Sequence, residues 1–218
     1  MAVSTAAADE SLVLVHPAQK EEVELAPPGN DPALLGLPSF IVGAVALGLV
    51  NIGMVPAGVA GAAIPILVAA TSIGMFIAAI WAVHVGQGVV GGIYGIFAGF
   101  YLSDAVLVLG LTHNWFGIPL IAMVSTQKVF LIAWLIVIVM LTLGLLRLPV
   151  VYPVLLGLVD VTLLLFLLGL TQSSPGLTKA SGYFNFIFCA LGAYLFLGVM
   201  NQATGGKPFP LGKPMLHS

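Results

Sequence analysis

From Leu34 onward the chain alternates long apolar runs with short polar breaks. The runs cover residues 34–55, 60–83, 89–112, 128–146, 149–170 and 183–200. About 20 helical residues at ~1.5 Å rise cross roughly 30 Å of hydrocarbon, so each run predicts one membrane-spanning helix. The breaks carry the residues expected at turns and interfaces: Pro56, Gly58 and Gly61; His84, Gly86 and Gln87; His113 to Lys128; Arg147 and Pro149; Ser173 to Lys179. Within the third break, 116–124 is apolar but too short to span, and reads as a re-entrant or interfacial segment.

Composition agrees with that pattern. The chain of 218 residues is 60% hydrophobic and only 6% charged, too little polar surface to clothe a water-soluble globule. A net charge of -2 excludes a basic nucleic-acid binder, and a single cysteine, Cys189, excludes an internal disulfide. No cysteine and histidine cluster at zinc spacing occurs, and the sequence implies no metal or cofactor. The predicted class is an all-α integral membrane protein of six transmembrane helices. It divides into a polar tail at 1–31, a channel-forming domain at 32–202 and a C-terminal tail at 203–218.

The first tail holds six of the eight acidic residues and lacks the positive start and apolar stretch of a signal peptide. An even number of spans puts both ends on one side. Lys20, Arg147, Lys207 and Lys213 fall on that side against Lys128 and Lys179 opposite, a four-to-two excess that places both termini in the cytoplasm.

The third run carries two faces. Gly91, Gly95 and Gly99 repeat every four residues and stack on one side, where a neighbouring helix can approach closely. Tyr94, Phe97, Tyr101 and Asp104 follow i, i+3, i+7 and i+10 and form a second stripe pointing away from the glycines. Taken alone the aromatics are ordinary interhelical filling. Asp104 changes the picture, as does Asp160 in the fifth run. A carboxyl at membrane depth is costly unless it faces protein or water, and such groups mark transport paths or proton relays. Each is also readable as a neutral acid bonded to a neighbouring helix. Asn51, and Asn185 with Cys189 and Gly192 on one face of the sixth run, are further small polar positions.

No Walker loop, Gly-x-Ser-x-Gly elbow or His-Glu-x-x-His motif is present. Asp104 and Asp160 lack the flanking motif of an intramembrane acid protease. The sequence therefore favours a non-enzymatic transporter or channel, with a non-transporting membrane scaffold or sensor as the alternative.

At the junction of tail and first helix stands Asn30-Asp31-Pro32-Ala33-Leu34-Leu35-Gly36-Leu37-Pro38-Ser39-Phe40. It resembles the Asn-Pro-Ala-Pro-Leu-Gly-Leu signature, followed by Phe, of the acetate uptake transporter family, which includes bacterial succinate–acetate permeases and fungal acetate and ammonia exporters. Asn51-Ile52-Gly53 and Phe97-Ala98-Gly99-Phe100-Tyr101 are similar to the family's Asn-x-Gly and Tyr-Gly-x-Phe-Trp motifs. The resemblance implies six-helix protomers in the plasma membrane, assembled as a homo-hexamer. Each would hold a pore for small monocarboxylates such as acetate, succinate or lactate, and the two acids at membrane depth make a proton-linked passage the hypothesis to test.

By the same resemblance, Phe40, Phe97 and Val161 form the constriction, and Leu37, Asn51, Tyr94, Phe100 and Tyr101 line the path. Asp104 and Asp160 are candidates for carrying a proton. This chain departs from the family pattern where Asp31 replaces Asn, Leu34 replaces the second Pro, and Phe97 replaces a Tyr. Ammonium or urea permeation through the same fold is the alternative substrate reading.

Overall fold

A computed structural model describes residues 30–216, and the 1–29 part of the acidic tail lies outside it. Among the described residues six helices are long and apolar enough to cross a membrane, making the chain a multi-pass membrane protein. They are α1 (Ala33–Asn51), a second span (Gly61–His84) ending in α2 (Ile73–His84), α3 (Gly88–Thr112), α4 (Met123–Gly144), α5 (Val151–Thr171) and α6 (Pro175–Ala203). Among the described residues the only extended pairing is an isolated bridge between Pro149 and Pro214.

The helix ends follow local chemistry. Gly53 (φ +86) and Gly86 (φ +81) close α1 and α2 in the left-handed conformation, and the next amides, Met54 and Gln87, bond back to the carbonyls of Leu49 and Ala82. Ser174 caps α6 and Pro175 occupies its first position, so this helix starts eight residues before the apolar run that announces it. Likewise α4 starts at Met123 instead of 128. The 116–124 segment forms no α-helix of its own, and its last two residues already belong to α4. Phe116 covers Gly110 of α3, and a short 3-10 turn at Leu120–Ala122 leads directly into α4.

The second span is irregular. A 3-10 segment (Ala57–Ala63) gives way to a π-helical stretch (Ile66–Ser72) before α2. Ser72 Oγ donates to the Leu67 carbonyl at 2.6 Å, an added bond within the widened turn. This span crosses α1 at close range because α1 offers Gly43 against Thr71, while Gly74 faces Ser39.

α1 lies between the second span and α6, and α5 lies between α6 and α4. Close approach of α1 and α6 rests on Gly182, whose missing side chain leaves room for the Gly48 carbonyl, and on Gly192 against Ile41. The α3 glycines behave similarly: Gly91 and Gly95 face α2, and Gly99 faces Trp134 of α4. α4 is the outermost helix, with only Leu131 and Ile138 buried. The backbones of α1 and α3 stay apart, and the space between them holds their aromatic side chains and cavities.

The C-terminal segment does not trail away. Residues 207–216 fold back over the α4–α5 turn. Lys213 and Leu211 carbonyls accept from the Val150 and Val151 amides (3.2 and 3.3 Å), and the Leu146 carbonyl accepts from Met215 and Leu216. These bonds occupy amides at the start of α5 that no intrahelical carbonyl reaches, and Pro153 has no amide to satisfy. Tyr194 of α6 completes the docking by donating to the Pro210 carbonyl at 2.8 Å.

Candidate functional site: two cavities and an aromatic partition

The opening motif builds one wall. Asp31 Oδ1 accepts from the Ala33 amide at 2.9 Å and so occupies one of the free amides at the start of α1. Five residues on, Gly36 gives its space to the Tyr94 ring, which could not lie there against a Cβ. One turn further, Phe40 projects into the bundle and is buried.

Phe40 meets Phe97 of α3 edge to face, ring centroids 5.1 Å apart. It also packs against Tyr101 (6.2 Å) and against Phe188 of α6 (5.6 Å). Phe97 and Tyr101 continue through Phe100 to Phe130 and Trp134 of α4. Offset and edge-on pairs of this kind are favoured by ring quadrupoles and hold each ring in a defined orientation.

This cluster separates two cavities. The larger, about 760 Å3, is lined by Asp31, Leu37, Phe40, Tyr94, Phe97 and Tyr152, with Leu211 of the C-terminal segment in its wall. The smaller, about 130 Å3, lies on the other side of the rings and is lined by Asn51, Phe97, Phe100, Tyr101, Asp104, Gln127, Asn185 and Phe188 among others. Phe97 borders both. The α3 stripe thus runs along the whole path, with Tyr94 in the larger cavity and Tyr101 and Asp104 in the smaller.

The fifth helix turns a different face inward from the one the resemblance implies. Leu155 and Leu156 line the larger cavity, and Val159, Thr162 and Leu163 the smaller. Val161 is 38% exposed and lines neither. Two residues along a helix turn a side chain by roughly 200°, which carries it from the inner face to the outer one. Thr162, the next residue, and Val159, two positions back, are both buried and border the smaller cavity.

Asp160 is also turned away from both cavities. It faces α4, where Thr142 Oγ1 lies 2.7 Å from its Oδ2. Asp104, by contrast, is half-buried with no Lys or Arg beside it in the cavity wall. Asn51 donates to Ser181 Oγ at 3.2 Å, joining α1 to α6 at the cavity edge. Cys189 approaches the Ile41 carbonyl at 3.9 Å, a packing contact between the same helices.

Phe188, Tyr152, Gln127 and Leu211 are lining residues that sequence reasoning missed. Phe188 had a signal: it lies three positions after Asn185 and four before Gly192, on the face that meets α1. Leu211 lies in the Phe209-Pro210-Leu211-Gly212 stretch that is similar to the family, but its place in the cavity wall depends on the fold-back.

The model of the GPR1/FUN34/yaaH family matches residues 19–207. No curated protein matches the chain. Among solved structures, the fold is similar to that of the bacterial acetate channel SatP, with a TM-score of 0.72 at 21% identity, covering 84% of this chain and 98% of that one. With the family model spanning most of its length and the signature at the start of α1 in place, this chain belongs to the GPR1/FUN34/yaaH family, the acetate uptake transporters.

Proposed function

We propose that the chain conducts small monocarboxylates, acetate first among them, across the plasma membrane. The path runs from the larger cavity through the Phe40 and Phe97 rings to the smaller one. The observation that carries this reading is that Phe97 borders both cavities while its edge-to-face contact with Phe40 fills the space between them. A hydrophobic constriction of this kind gates by dewetting and passes a small solute that has shed most of its water. The acetate channel of similar fold and the opening motif of α1 support the substrate class.

Asp104 in the smaller cavity disfavours a bare carboxylate there, since like charges at low dielectric repel strongly. The solute therefore crosses as the neutral acid, or as an anion with a proton. The same carboxyl favours, as a second reading, ammonium as a cargo. Leu211 and the turns at 85–88 and 145–149 line the larger cavity together with Asp31, which supports an entry at the end bearing both termini, the cytoplasmic end in this reading. The family resemblance supports a homo-hexamer, and the sparsely covered outer face of α4 is available to meet a neighbouring protomer or lipid.

Uptake of labelled acetate at pH 8 into vesicles reconstituted with the protein tests the proposal. Flux well above protein-free vesicles, changed severalfold by Phe97→Ala, is expected. Flux equal to that of protein-free vesicles would overturn it.

A further inference from the structure

Asn185 is only 5% exposed, yet among the described residues its side-chain amide makes no hydrogen bond, and it opens into the smaller cavity. Its amide atoms open to that cavity and are not sealed in the helix interface, so a solute held there can bond them. The same wall carries Asp104, a strong acceptor with no cation beside it, on α3. Thr162 does not compete for a solute, since its hydroxyl is spent on the Leu158 carbonyl at 2.8 Å. The volume of about 130 Å3 is several times the roughly 15 Å3 that admits one water, and suits a solute of a few heavy atoms.

From this we infer that the smaller cavity is a binding site for planar solutes that present a carbonyl acceptor and an N–H or O–H donor on the same carbon, and that the protein therefore conducts small primary carboxamides. Asn185 Nδ2 donates to the carbonyl oxygen, and the carboxamide N–H donates to Asp104. An acetate anion has the acceptor and lacks the donor, so it gains only half of this recognition. Acetamide is the same size and shape as acetic acid and keeps its donor at every pH. The aromatic partition passes it on the same terms as the acid, since it carries no charge to dehydrate. The inference rests on the path proposed above, and it adds a cargo class together with the pair of residues that selects it.

Flux of labelled acetamide and of labelled acetate, each at pH 8 in the same reconstituted vesicles with protein-free vesicles as background, tests it. Acetamide is expected to cross at least tenfold faster than background. Asp104→Ala and Asn185→Ala, which remove the polar groups without crowding the cavity, are expected to lower the acetamide-to-acetate flux ratio at least fivefold through a fall in acetamide flux. A misfolded variant loses both fluxes together and is recognised by that. Acetamide flux at background while acetate flux is well above it would overturn the carboxamide site and leave the acetate path standing, as would a wild-type ratio in both variants. Both fluxes at background would overturn the path and the site together.

Discussion

Thr142 Oγ1 of α4 lies 2.7 Å from Asp160 Oδ2 of α5 and 3.0 Å from the carbonyl of Ile138 one turn back in its own helix. One hydroxyl proton serves one of these acceptors fully. A neutral Asp160 that donates its proton to Thr142, while Thr142 donates to Ile138, satisfies both contacts at once. The other carboxyl oxygen is buried with no partner among the described residues, which a charged carboxylate tolerates far less well than a neutral one.

Asp160→Asn keeps a donor to Thr142 and is expected to change stability by less than about 1 kcal/mol, whereas Asp160→Ala or Thr142→Val strands a buried polar group and costs about 1–3 kcal/mol. Thermal unfolding in detergent measures the difference. Because Asp160 lines neither cavity, acetate flux through Asp160→Asn should stay within about twofold of wild type. A tenfold loss of flux in a stable Asp160→Asn protein would restore Asp160 to the path.

The α5 helix separates two accounts of the constriction. Val159→Ala removes a buried side chain beside the smaller cavity and is expected to raise acetate flux severalfold, at a stability cost of about 0.5–2.5 kcal/mol. Val161→Ala acts on the outer face and should leave flux unchanged. The opposite ranking in a vesicle assay would return the constriction to Val161.

How much of this was legible beforehand depends on contrast along each helix. The third span mixes glycine, aromatic and acidic positions, so its two faces separate at 100° per residue, and the structure brings Tyr94, Phe97, Tyr101 and Asp104 to the cavities as that arithmetic implies. The fifth span is nearly uniform: Leu155, Leu156, Val159 and Leu163 face inward, Val154, Val161 and Leu164 outward, and the residue types are the same. Hydrophobicity then carries no phase, and an error of two positions passes unnoticed. The starts of α4 and α6 were hidden for another reason. Their first two turns hold Gln127, Lys128 and Lys179, which a hydropathy reading assigns to loops, although polar residues at a span's end reach the interface without leaving the helix.

Gly36 and Tyr94 provide a test of the α1 motif as packing. A methyl group at Gly36 would overlap the Tyr94 ring, so Gly36→Ala is expected to destabilise the protein by about 1–3 kcal/mol and to lower acetate flux by displacing Tyr94 within the larger cavity. Adding Tyr94→Leu shortens the obstructing side chain and should recover at least half of the lost melting temperature. No recovery in the double variant would show that the glycine serves something other than room for the ring.

The fold-back of the C-terminal segment gives the last prediction. Its attachment is distributed: bonds to Val150 and Val151 amides, to the Leu146 carbonyl and to the Tyr194 hydroxyl, and Phe209 stacked on Tyr194 at 5.3 Å over Gly198. Tyr194→Phe removes one hydrogen bond while keeping the stack, and should cost about 0.5–1.5 kcal/mol with flux little changed. Gly198→Val fills the seat of the Phe209 ring and should release the segment as a whole. Leu211 then leaves the wall of the larger cavity, and the first amides of α5 are left to water. Limited proteolysis is expected to cut Gly198→Val after Gly205 at enzyme amounts that leave wild type intact, and acetate flux should shift by more than in Tyr194→Phe. A released segment with wild-type flux would show that it serves stability alone and takes no part in shaping the entry.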